Sequence, residues 1–253
     1  MHFVDSHLHL SEYEDSSQVV RLAASAGVRL FSCSVDRKSS ERTIAIAREN
    51  PLVVSSFVGV HPSEATKQKD HAWIRVAARD ASGVGEVGLD PKYSEVAEKS
   101  PQMEVFLDQL CVAEELKMPV QVHSRNAERL CLDKLTSYRL SSVLLHWFNG
   151  ENLLSVAEQR GHFVSFGPSI LQSKRLQGMA TKYPDELILA ESDGPVAFAS
   201  LKGAGGPSLV PSVVFKLAEV KSTPFEEMAA KLARNSLSYL SAGGKVNHPT
   251  GLG

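Results

Sequence analysis

Residues 106–123 read FLDQLCVAEELKMPVQVH and contain, in order, one helical pattern and one strand-like run. Phe106, Leu110 and Ala113 recur at intervals of three or four residues, which is the spacing of one face of an α-helix. Pro119 ends that pattern, because proline fits poorly inside a helix, and the valine-rich run after it is typical of a strand. This stretch therefore predicts a helix followed by a strand.

The same alternation extends over most of the chain, with eight strand-like runs separated by helical patterns. The runs are Phe3–His7, Val28–Val35, Val53–Val60, Gly83–Leu89, Val120–His123, Ser142–Trp147, His162–Phe166 and Leu187–Glu191. Strands that alternate with helices form a parallel sheet, and eight such units in a chain of this length favour a closed barrel over an open sheet. We therefore predict an α/β fold with a single (β/α)8 TIM-type barrel over residues 1–242 and a flexible C-terminal tail over 243–253.

The composition restricts the classes of function. The chain has 253 residues, a formal net charge of −2 and a sequence pI near 6.5. This charge gives no general attraction to nucleic acid, so a polyanion would need a local basic patch or a metal centre. The odd number of separated cysteines, the lack of a signal-peptide pattern and the lack of a long apolar stretch predict a cytoplasmic protein with no membrane association.

Histidines and acids concentrate at the ends of the predicted strands. Alternate residues of an extended chain share a face, so the imidazoles of His7 and His9 can bind one cation together. In a barrel the carboxyl ends of all strands meet at one mouth, which brings distant strand-end residues together. The candidate metal ligands are His7, His9, Glu86, His123, His146 and Asp193.

A single histidine at a strand end is more often a hydrogen-bonded structural residue than a ligand. Here, however, five of the nine histidines fall at such ends, and two acids join them. Four imidazoles and two carboxylates suit Zn²⁺ or Mn²⁺, with Mg²⁺ on the oxygen-rich side. Six ligands exceed what one catalytic ion needs. We therefore expect one to two divalent metal ions. Two ions that share Glu86 explain the number of ligands better than one ion does.

Two acids near the candidate ligands have less certain roles. Asp5 lies two residues before His7 and either orients a metal ligand or caps a turn. Glu191 lies two residues before Asp193 and is interpreted as structural support. The remaining histidines have no such placement and are interpreted as structural or surface residues: His2, His71, His162 and His248.

Seven short motifs occur in a fixed order along the chain. They are VDSHLH at 4–9, GVHP at 59–62, GEVGLD at 85–90, PVQVHSRNA at 119–127, HWFNG at 146–150, SFG at 165–167 and ESDGP at 191–195. In this order they make the chain resemble the TatD family of metal-dependent deoxyribonucleases, within the amidohydrolase superfamily. The resemblance extends almost from end to end, as far as the helical segment that contains Asn235.

The resemblance implies a TIM-type barrel with one to two divalent ions that cleaves phosphodiester bonds, often from a DNA end. The residues implied for one ion are His7, His9, Glu86 and Asp193. Those implied for the second ion are Glu86, His123 and His146. The residues implied near the substrate phosphate are His61 and Arg125.

The chain departs from the family pattern around the mouth of the barrel. Trp147 stands where the family commonly has cysteine, and Ser192 and Gly194 change the usual Glu-Thr-Asp-Ser-Pro motif of the eighth strand. The glycine-rich loop Ala197–Val210 lacks the usual Asn-Glu-Pro run, and Pro91-Lys92-Tyr93 replaces the usual Asp-Tyr run after the fourth strand. None of these changes removes a candidate ligand, but they alter loops that select the substrate.

We predict metal-assisted hydrolysis of phosphodiester bonds, in which ions lower the pKa of a bound water. Asp193 would orient that water and accept its proton, with Glu86 as the shared ligand. Arg125 would stabilise charge on the phosphoryl oxygens, unless it forms only a surface salt bridge. His61 would bind the phosphate or protonate the leaving oxygen, unless it only stabilises a turn. The predicted catalytic residues are Asp193, Glu86, His61 and Arg125.

DNA is the expected partner, as single strands or frayed ends, because a barrel mouth is too narrow for a duplex; no stable protein partner is implied. Candidate phosphate contacts are Lys92, Lys174, Arg175 and Lys202. Candidate stacking residues are Trp147, Phe148, Tyr93 and Phe198. For each of these residues, a core or solvated surface position is an equally good interpretation.

Two other functions also fit the sequence. One is another amidohydrolase-type hydrolase, with an ester, lactone or aminoacyl-ester substrate, because a fold does not determine a substrate. The other is a metal- or nucleic-acid-binding protein without turnover. Asp193 argues against the second, since a decayed enzyme commonly loses its base.

Overall fold

The computed structural model describes residues 3–68, 70–198 and 203–242, and within them one parallel sheet holds eight strands in sequence order. The strands are β1 (Phe3–Leu8), β2 (Val28–Ser32), β3 (Val54–Val58), β4 (Gly83–Gly88), β5 (Val120–His123), β6 (Val143–Leu145), β7 (Phe163–Phe166) and β8 (Ile188–Ala190). Every neighbouring pair from β1 to β8 is parallel. The predicted α/β class and single barrel are confirmed, although several strands are shorter than the predicted runs.

Backbone hydrogen bonds join the ends of the first and last strands. The Asp193 N–H donates to the carbonyl of His7 at 2.9 Å, and the His9 N–H donates to the carbonyl of Gly194 at 2.7 Å. The sheet therefore curls until β8 meets β1, and the carboxyl ends of the strands surround one mouth. This closure places the first strand of the pattern beside the eighth.

Helices alternate with the strands and cover the outside of the sheet. They are α1 (Ser16–Ser25), α2 (Arg37–Glu49), α3 (Trp73–Ala77), α4 (Pro101–Leu116), α5 (Glu128–Leu135), α6 (Leu154–Gln159), α7 (Lys174–Lys182), α8 (Val210–Val220) and α9 (Phe225–Ser241). Helix α4 begins where Ser100 accepts a hydrogen bond from the Met103 N–H, with Pro101 in its first turn, as is usual for helix starts. Within the described ranges, no helix combines the length and the apolar character needed to cross a membrane.

The barrel interior is filled with apolar side chains below the mouth. Phe31, Phe57, Leu144 and Phe163 pack together there and are buried. Tyr239 of α9 completes this cluster at the amino ends of the strands, where its ring stacks on Phe57 with centroids 6.1 Å apart. The barrel is therefore a packed core, and the candidate ligands lie at its carboxyl end.

The loop after β8 is partly ordered by a short antiparallel pair. Its strands are β9 (Ala197–Phe198) and β10 (Gly203–Ala204), within the segment for which the sequence predicted a glycine-rich loop. The proposed tail at 243–253 lies outside the described residues, as do His2, Lys202 and His248. The domain limits at 1–242 and 243–253 therefore stay a prediction.

Candidate metal centre

The six candidate ligands lie together at the carboxyl ends of five strands. They are His7 and His9 at the end of β1, Glu86 in β4, His123 at the end of β5, His146 after β6 and Asp193 after β8. The side chains are nearly all buried, and the most exposed of them, His123, is only 13% exposed. The strand-end pattern in the sequence thus corresponds to one compact cluster in the structure.

Glu86 occupies the centre of this cluster. Its Oε2 lies 3.5 Å from His7 Nε2 and 3.3 Å from His9 Nε2. Its Oε1 lies 2.8 Å from His123 Nδ1 and 3.7 Å from His146 Nε2. The two oxygens of one carboxylate therefore face different imidazoles: His7 and His9 on one side, and His123, His146 and His61 on the other. Burial works against the ionised carboxylate, but the surrounding histidines hold the pKa of Glu86 well below its usual range.

Asp193 places a second carboxylate on the same side as His7 and His9. Its Oδ1 lies 3.8 Å from His7 Nε2, 3.6 Å from His9 Nε2 and 3.9 Å from His146 Nε2. Burial raises its pKa, but His146 and the other imidazoles outweigh that effect and lower the pKa below the usual value. Its backbone has a φ of 50°, an uncommon conformation outside glycine that is frequent at functional sites.

Hydrogen bonds to the Nδ1 atoms, on the side of each ring away from Glu86, determine how His7 and His9 are oriented. The amide of Gln121 donates from Nε2 to the carbonyl of Ser6 at 3.0 Å, which leaves its Oε1 to accept from His7 Nδ1 at 2.6 Å. His9 Nδ1 likewise donates to the carbonyl of Cys33 at 3.3 Å. Since both Nδ1 atoms donate hydrogen bonds, both Nε2 atoms face the centre, where they can bind a cation.

His146 is oriented in the same way by a carboxylate. Its Nδ1 lies 2.9 Å from Glu191 Oε2, which also accepts a hydrogen bond from the hydroxyl of Ser165. This contact fits the interpretation of Glu191 as structural support. Asp5 orients a different group, because its Oδ1 accepts a hydrogen bond from the Ser192 N–H at 2.8 Å. Asp5 thus supports the segment that leads to Asp193.

A second carboxylate connects His123 to the rim of the mouth. Asp90 Oδ2 lies 2.7 Å from His123 Nε2 and 2.7 Å from Arg125 Nη2. Burial opposes ionisation of Asp90, but His123, the Lys92 N–H and Arg125 lower its pKa to about 2. Arg125 also lies over the ring of Tyr93, 5.5 Å from the centroid, and its side chain is 39% exposed. It therefore forms a salt bridge and still reaches the mouth.

His61 lies on the same side as His123, with its Nε2 3.8 Å from Glu86 Oε1. The Ser63 N–H donates to His61 Nδ1 at 3.2 Å, so the proton of the neutral ring is on Nε2. Burial lowers the pKa of His61 to about 3. His61 is therefore a neutral imidazole that offers an N–H donor to the site.

The other predicted substrate contacts differ in how well they are placed. Trp147 and Phe198 lie together, with ring centroids 5.5 Å apart, and Tyr93 is 45% exposed. Phe148 is only 1% exposed and Phe198 only 5%, so neither ring is free to stack on a base, and the interpretation as core residues holds for both. Arg175 donates to the carbonyl and side-chain oxygens of Asn149. Lys92 and Lys174 are exposed.

The family model described as TatD related DNase matches residues 4–241. The chain belongs to this family. The deoxyribonuclease TATDN3 of Homo sapiens is 28% identical over 254 residues, which cover 92% of this chain and 93% of that protein. A protein of Dickeya dadantii named 3'-5' ssDNA/RNA exonuclease TatD is 29% identical over 192 residues, 72% of each chain. A Bacillus subtilis relative named metal-dependent hydrolase YabD is 27% identical over 247 residues, which cover 92% of this chain and 96% of that protein.

Solved structures of TatD-family proteins share the fold of this chain. The Escherichia coli TatD homologue YJJV superposes with a TM-score of 0.80 at 23% identity, over 94% of this chain and 97% of that one. A TatD-family hydrolase of Entamoeba histolytica gives a TM-score of 0.82 at 17% identity, over 94% and 98%. At these identities the likeness supports the barrel fold alone.

The donor groups of this TatD-family site fit divalent cations. His7 Nε2 and His9 Nε2 lie 3.3 Å apart, and two lone pairs at this distance repel each other unless a cation or a proton lies beside them. Three sets of donors have atoms within 4.8 Å of one another: His7, His146 and Asp193; His7, His9 and Glu86; and His61, Glu86 and His123. Nitrogen and carboxylate oxygen are the ligands that Zn²⁺ and Mn²⁺ accept.

Sequence reasoning missed the groups that hold the ligands of this TatD-family site in place. Gln121, Asp90 and the carbonyl of Cys33 were given no role, yet each bonds to one of the imidazoles. Gln121 did carry a signal, because a polar residue between two valines of a buried strand needs a partner inside the barrel. Its partner, His7, is 114 residues away and could not be identified from spacing.

Proposed function

We propose that this chain is a divalent-metal-dependent nuclease that hydrolyses phosphodiester bonds at DNA ends, preferably of single strands. The central observation is that the two oxygens of Glu86 face different sets of imidazoles, as the shared ligand of two ions would. Membership of the TatD related DNase family supports the reaction class.

The proposal assigns the ligands to two positions. His7, His9, Glu86 and Asp193 would hold one ion, and Glu86, His123 and His146 would hold the second. Such ions lower the pKa of water and neutralise negative charge on phosphoryl oxygens. His61 is not assigned as a ligand, because the hydrogen bond from the Ser63 N–H leaves its Nε2 protonated.

Asp193 has the properties of a group that accepts a proton from the attacking water. It is ionised at neutral pH, because the neighbouring imidazoles outweigh the effect of burial on its pKa. Its carboxylate is aimed at the centre of the cluster, where a water molecule and a phosphate would meet. A positioned base of this kind commonly contributes a rate factor of about 10² to 10⁴.

His61 and Arg125 would bind the phosphate from the opposite side. His61 is neutral and donates from Nε2, so it can bond to a phosphoryl oxygen or to the leaving oxygen without charging the site. Arg125 is held by Asp90 and reaches the mouth, where a planar guanidinium can donate two hydrogen bonds to one phosphate. These two groups position the substrate while Asp193 acts on the water.

A preference for single strands follows from the rim of the mouth. The half-buried ring of Trp147 lies there against the buried Phe198, and Tyr93 is substantially exposed. Aromatic rings of this kind stack on unpaired bases, whatever their sequence. The Dickeya dadantii relative is named as an exonuclease of single-stranded DNA and RNA, which supports the same preference here.

The test is the metal content of the protein together with cleavage of end-labelled single-stranded DNA. We expect one to two bound ions and stepwise shortening of the strand that stops on chelation. Asp193→Asn should lower the rate at least about 100-fold, whereas Asp133→Asn, at an exposed acid of α5, should not. Retained cleavage in Asp193→Asn would contradict the assigned role. Bound ions without any cleavage of DNA would reject the substrate, and an ester and lactone panel would follow.

A further inference from the structure

A cavity of about 630 Å³ lies at the end of the barrel opposite the metal centre. It is formed by residues at the amino ends of β2 to β5 and by the loops and helix ends that precede them, including Arg29, Ser55, Ser82 and Pro119. Its volume falls within the range of about 300–1,000 Å³ that is usual for small-molecule sites. The proposed reaction at the carboxyl ends does not use it.

Arg29 is the unusual residue of this cavity. It lies in β2 two positions before Phe31, so both side chains point to the barrel interior, where Phe31 packs with Phe57. The Nε of Arg29 is buried and has no hydrogen-bond partner in the part of the chain that the structure describes. A buried N–H without a partner is unfavourable, and a bound anion would relieve it.

The other charges of the cavity are also mainly positive. Arg48, Arg79 and Lys117 line it together with Arg29, and Asp80 is the only carboxylate among the described lining residues. Asp80 is already paired, since its Oδ2 lies 3.0 Å from Arg48 Nη2. Three cations are therefore left without an acid inside the cavity, which favours an anion of more than one charge.

One wall of the cavity is apolar. Ile44, Met118 and Leu240 line it and are each at most 8% exposed in the protein. The hydroxyl-bearing residue Ser55 also lines the cavity. A ligand that fills the cavity would therefore combine an anionic group with an organic part.

We propose that this cavity binds a small organic phosphate, with the phosphate against Arg29 and Lys117 and the organic part against Met118 and Leu240. A planar guanidinium matches a phosphate with two parallel hydrogen bonds. The packed interior, with Phe31 and Phe57, separates this cavity from the metal centre. This ligand would therefore bind at a site separate from the metal centre. Its binding does not depend on the proposed nuclease reaction.

Calorimetric titration of the metal-loaded protein with adenosine 5′-monophosphate tests the proposal. Because phosphates also bind metal centres, the comparison is between variants: wild type should take up one more nucleotide per chain than Arg29→Met. The control Arg21→Met removes an exposed arginine of α1 and should match wild type. Lys117→Met should weaken the same binding event about tenfold or more. Equal stoichiometry and affinity in wild type and Arg29→Met would overturn the proposal.

Two further measurements separate the parts of the proposal. Adenosine should not bind to the cavity, and inorganic phosphate should bind more weakly than the nucleotide; equal affinity would overturn the role of the apolar wall. Without phosphate, Arg29→Met should unfold at the same or a higher temperature than wild type, because a buried N–H without a partner is removed. A lower unfolding temperature would show that Arg29 is structural, and would overturn its role in binding.

Discussion

Gln121 illustrates how a single residue behind the metal centre controls a ligand in front of it. It joins the carbonyl of Ser6 to His7 Nδ1, and so directs the lone pair of His7 Nε2 toward Glu86. Groups that orient ligands in this way commonly change metal affinity by about 10- to 100-fold when they are removed. Metal affinity therefore depends on how the imidazoles are oriented as well as on which residues supply them.

We expect Gln121→Leu to weaken metal binding by about 10- to 100-fold, because His7 loses the acceptor that fixes its ring. Competition with a chelator of known affinity measures the change. Gln177→Leu is the matched control, since Gln177 is also buried and bonds to a carbonyl, that of Ile170, away from the ligands. Equal metal affinity in the Gln121 variant and wild type would show that His7 needs no such support.

His162 provides a test of stability against pH at a site far from the metal centre. Burial and the charge of Arg160 lower its pKa to about 4, and its Nε2 has no hydrogen-bond partner within the described ranges. In the unfolded chain a histidine titrates near pH 6.5. Between about pH 6.5 and 4 the unfolded chain therefore binds a proton that the folded chain does not, and His162 reduces the stability as the pH falls.

Replacement His162→Gln removes this titration. The free energy of unfolding of wild type, relative to the variant, should fall as the pH is lowered from 7 to 4 and should be constant above about pH 7. Urea unfolding at a series of pH values measures this difference directly. Parallel stability curves for the two proteins would show that His162 is protonated equally in the folded and unfolded chains.

At the scale of elements, α9 closes the amino end of the barrel through Tyr239. The ring lies parallel to Phe57, within 14°, and also contacts Phe31 and Phe163. We expect Tyr239→Ala to reduce the free energy of unfolding by about 3–5 kcal/mol, because a large buried ring leaves a cavity. Tyr239→Phe keeps the ring and should lose much less.

Denaturant unfolding with metal in excess measures both changes. Leu22→Ala, at a residue of α1 that is 63% exposed, is the control and should stay within about 0.5 kcal/mol of wild type. A small effect of Tyr239→Ala would mean that α9 covers the barrel without stabilising it. The strand ends that hold the metal ligands would then be stable without this helix.

At the scale of the whole molecule, the barrel and the clustering of the candidate ligands could be predicted because both depend on the repeating pattern. Once His123 and Glu86 are placed at the carboxyl ends of parallel strands, closure of the sheet brings them together whatever the details of packing. The surroundings of Gln121 and Arg29 depend on which side chains face inward at a given level of the barrel. That information comes from strand register, which the sequence pattern leaves open.

The wrong prediction for Phe148 has a related cause. Trp147 adopts a φ of 42°, in the left-handed region, directly after His146. This turn changes the direction of the chain beyond β6, so that Trp147 stays at the mouth while Phe148 enters the core. Residues one or two positions beyond a strand end follow the local turn, and their direction is not determined by the alternation of the strand.

The metal centre should also stabilise the whole barrel, because its ligands come from the ends of five strands that lie far apart in sequence. A ligand that binds only the folded chain adds about 2.7 kcal/mol at about 100 times its Kd. For a chain of this size we expect a rise in unfolding temperature on the order of 5–10 °C as Mn²⁺ or Zn²⁺ is added after chelation. Glu86→Gln should lose most of this rise, because it removes the carboxylate that contacts both sets of imidazoles, whereas Asp133→Asn should keep it. An undiminished rise in Glu86→Gln would place the stabilising ions elsewhere on the protein and would separate metal binding from the strand ends.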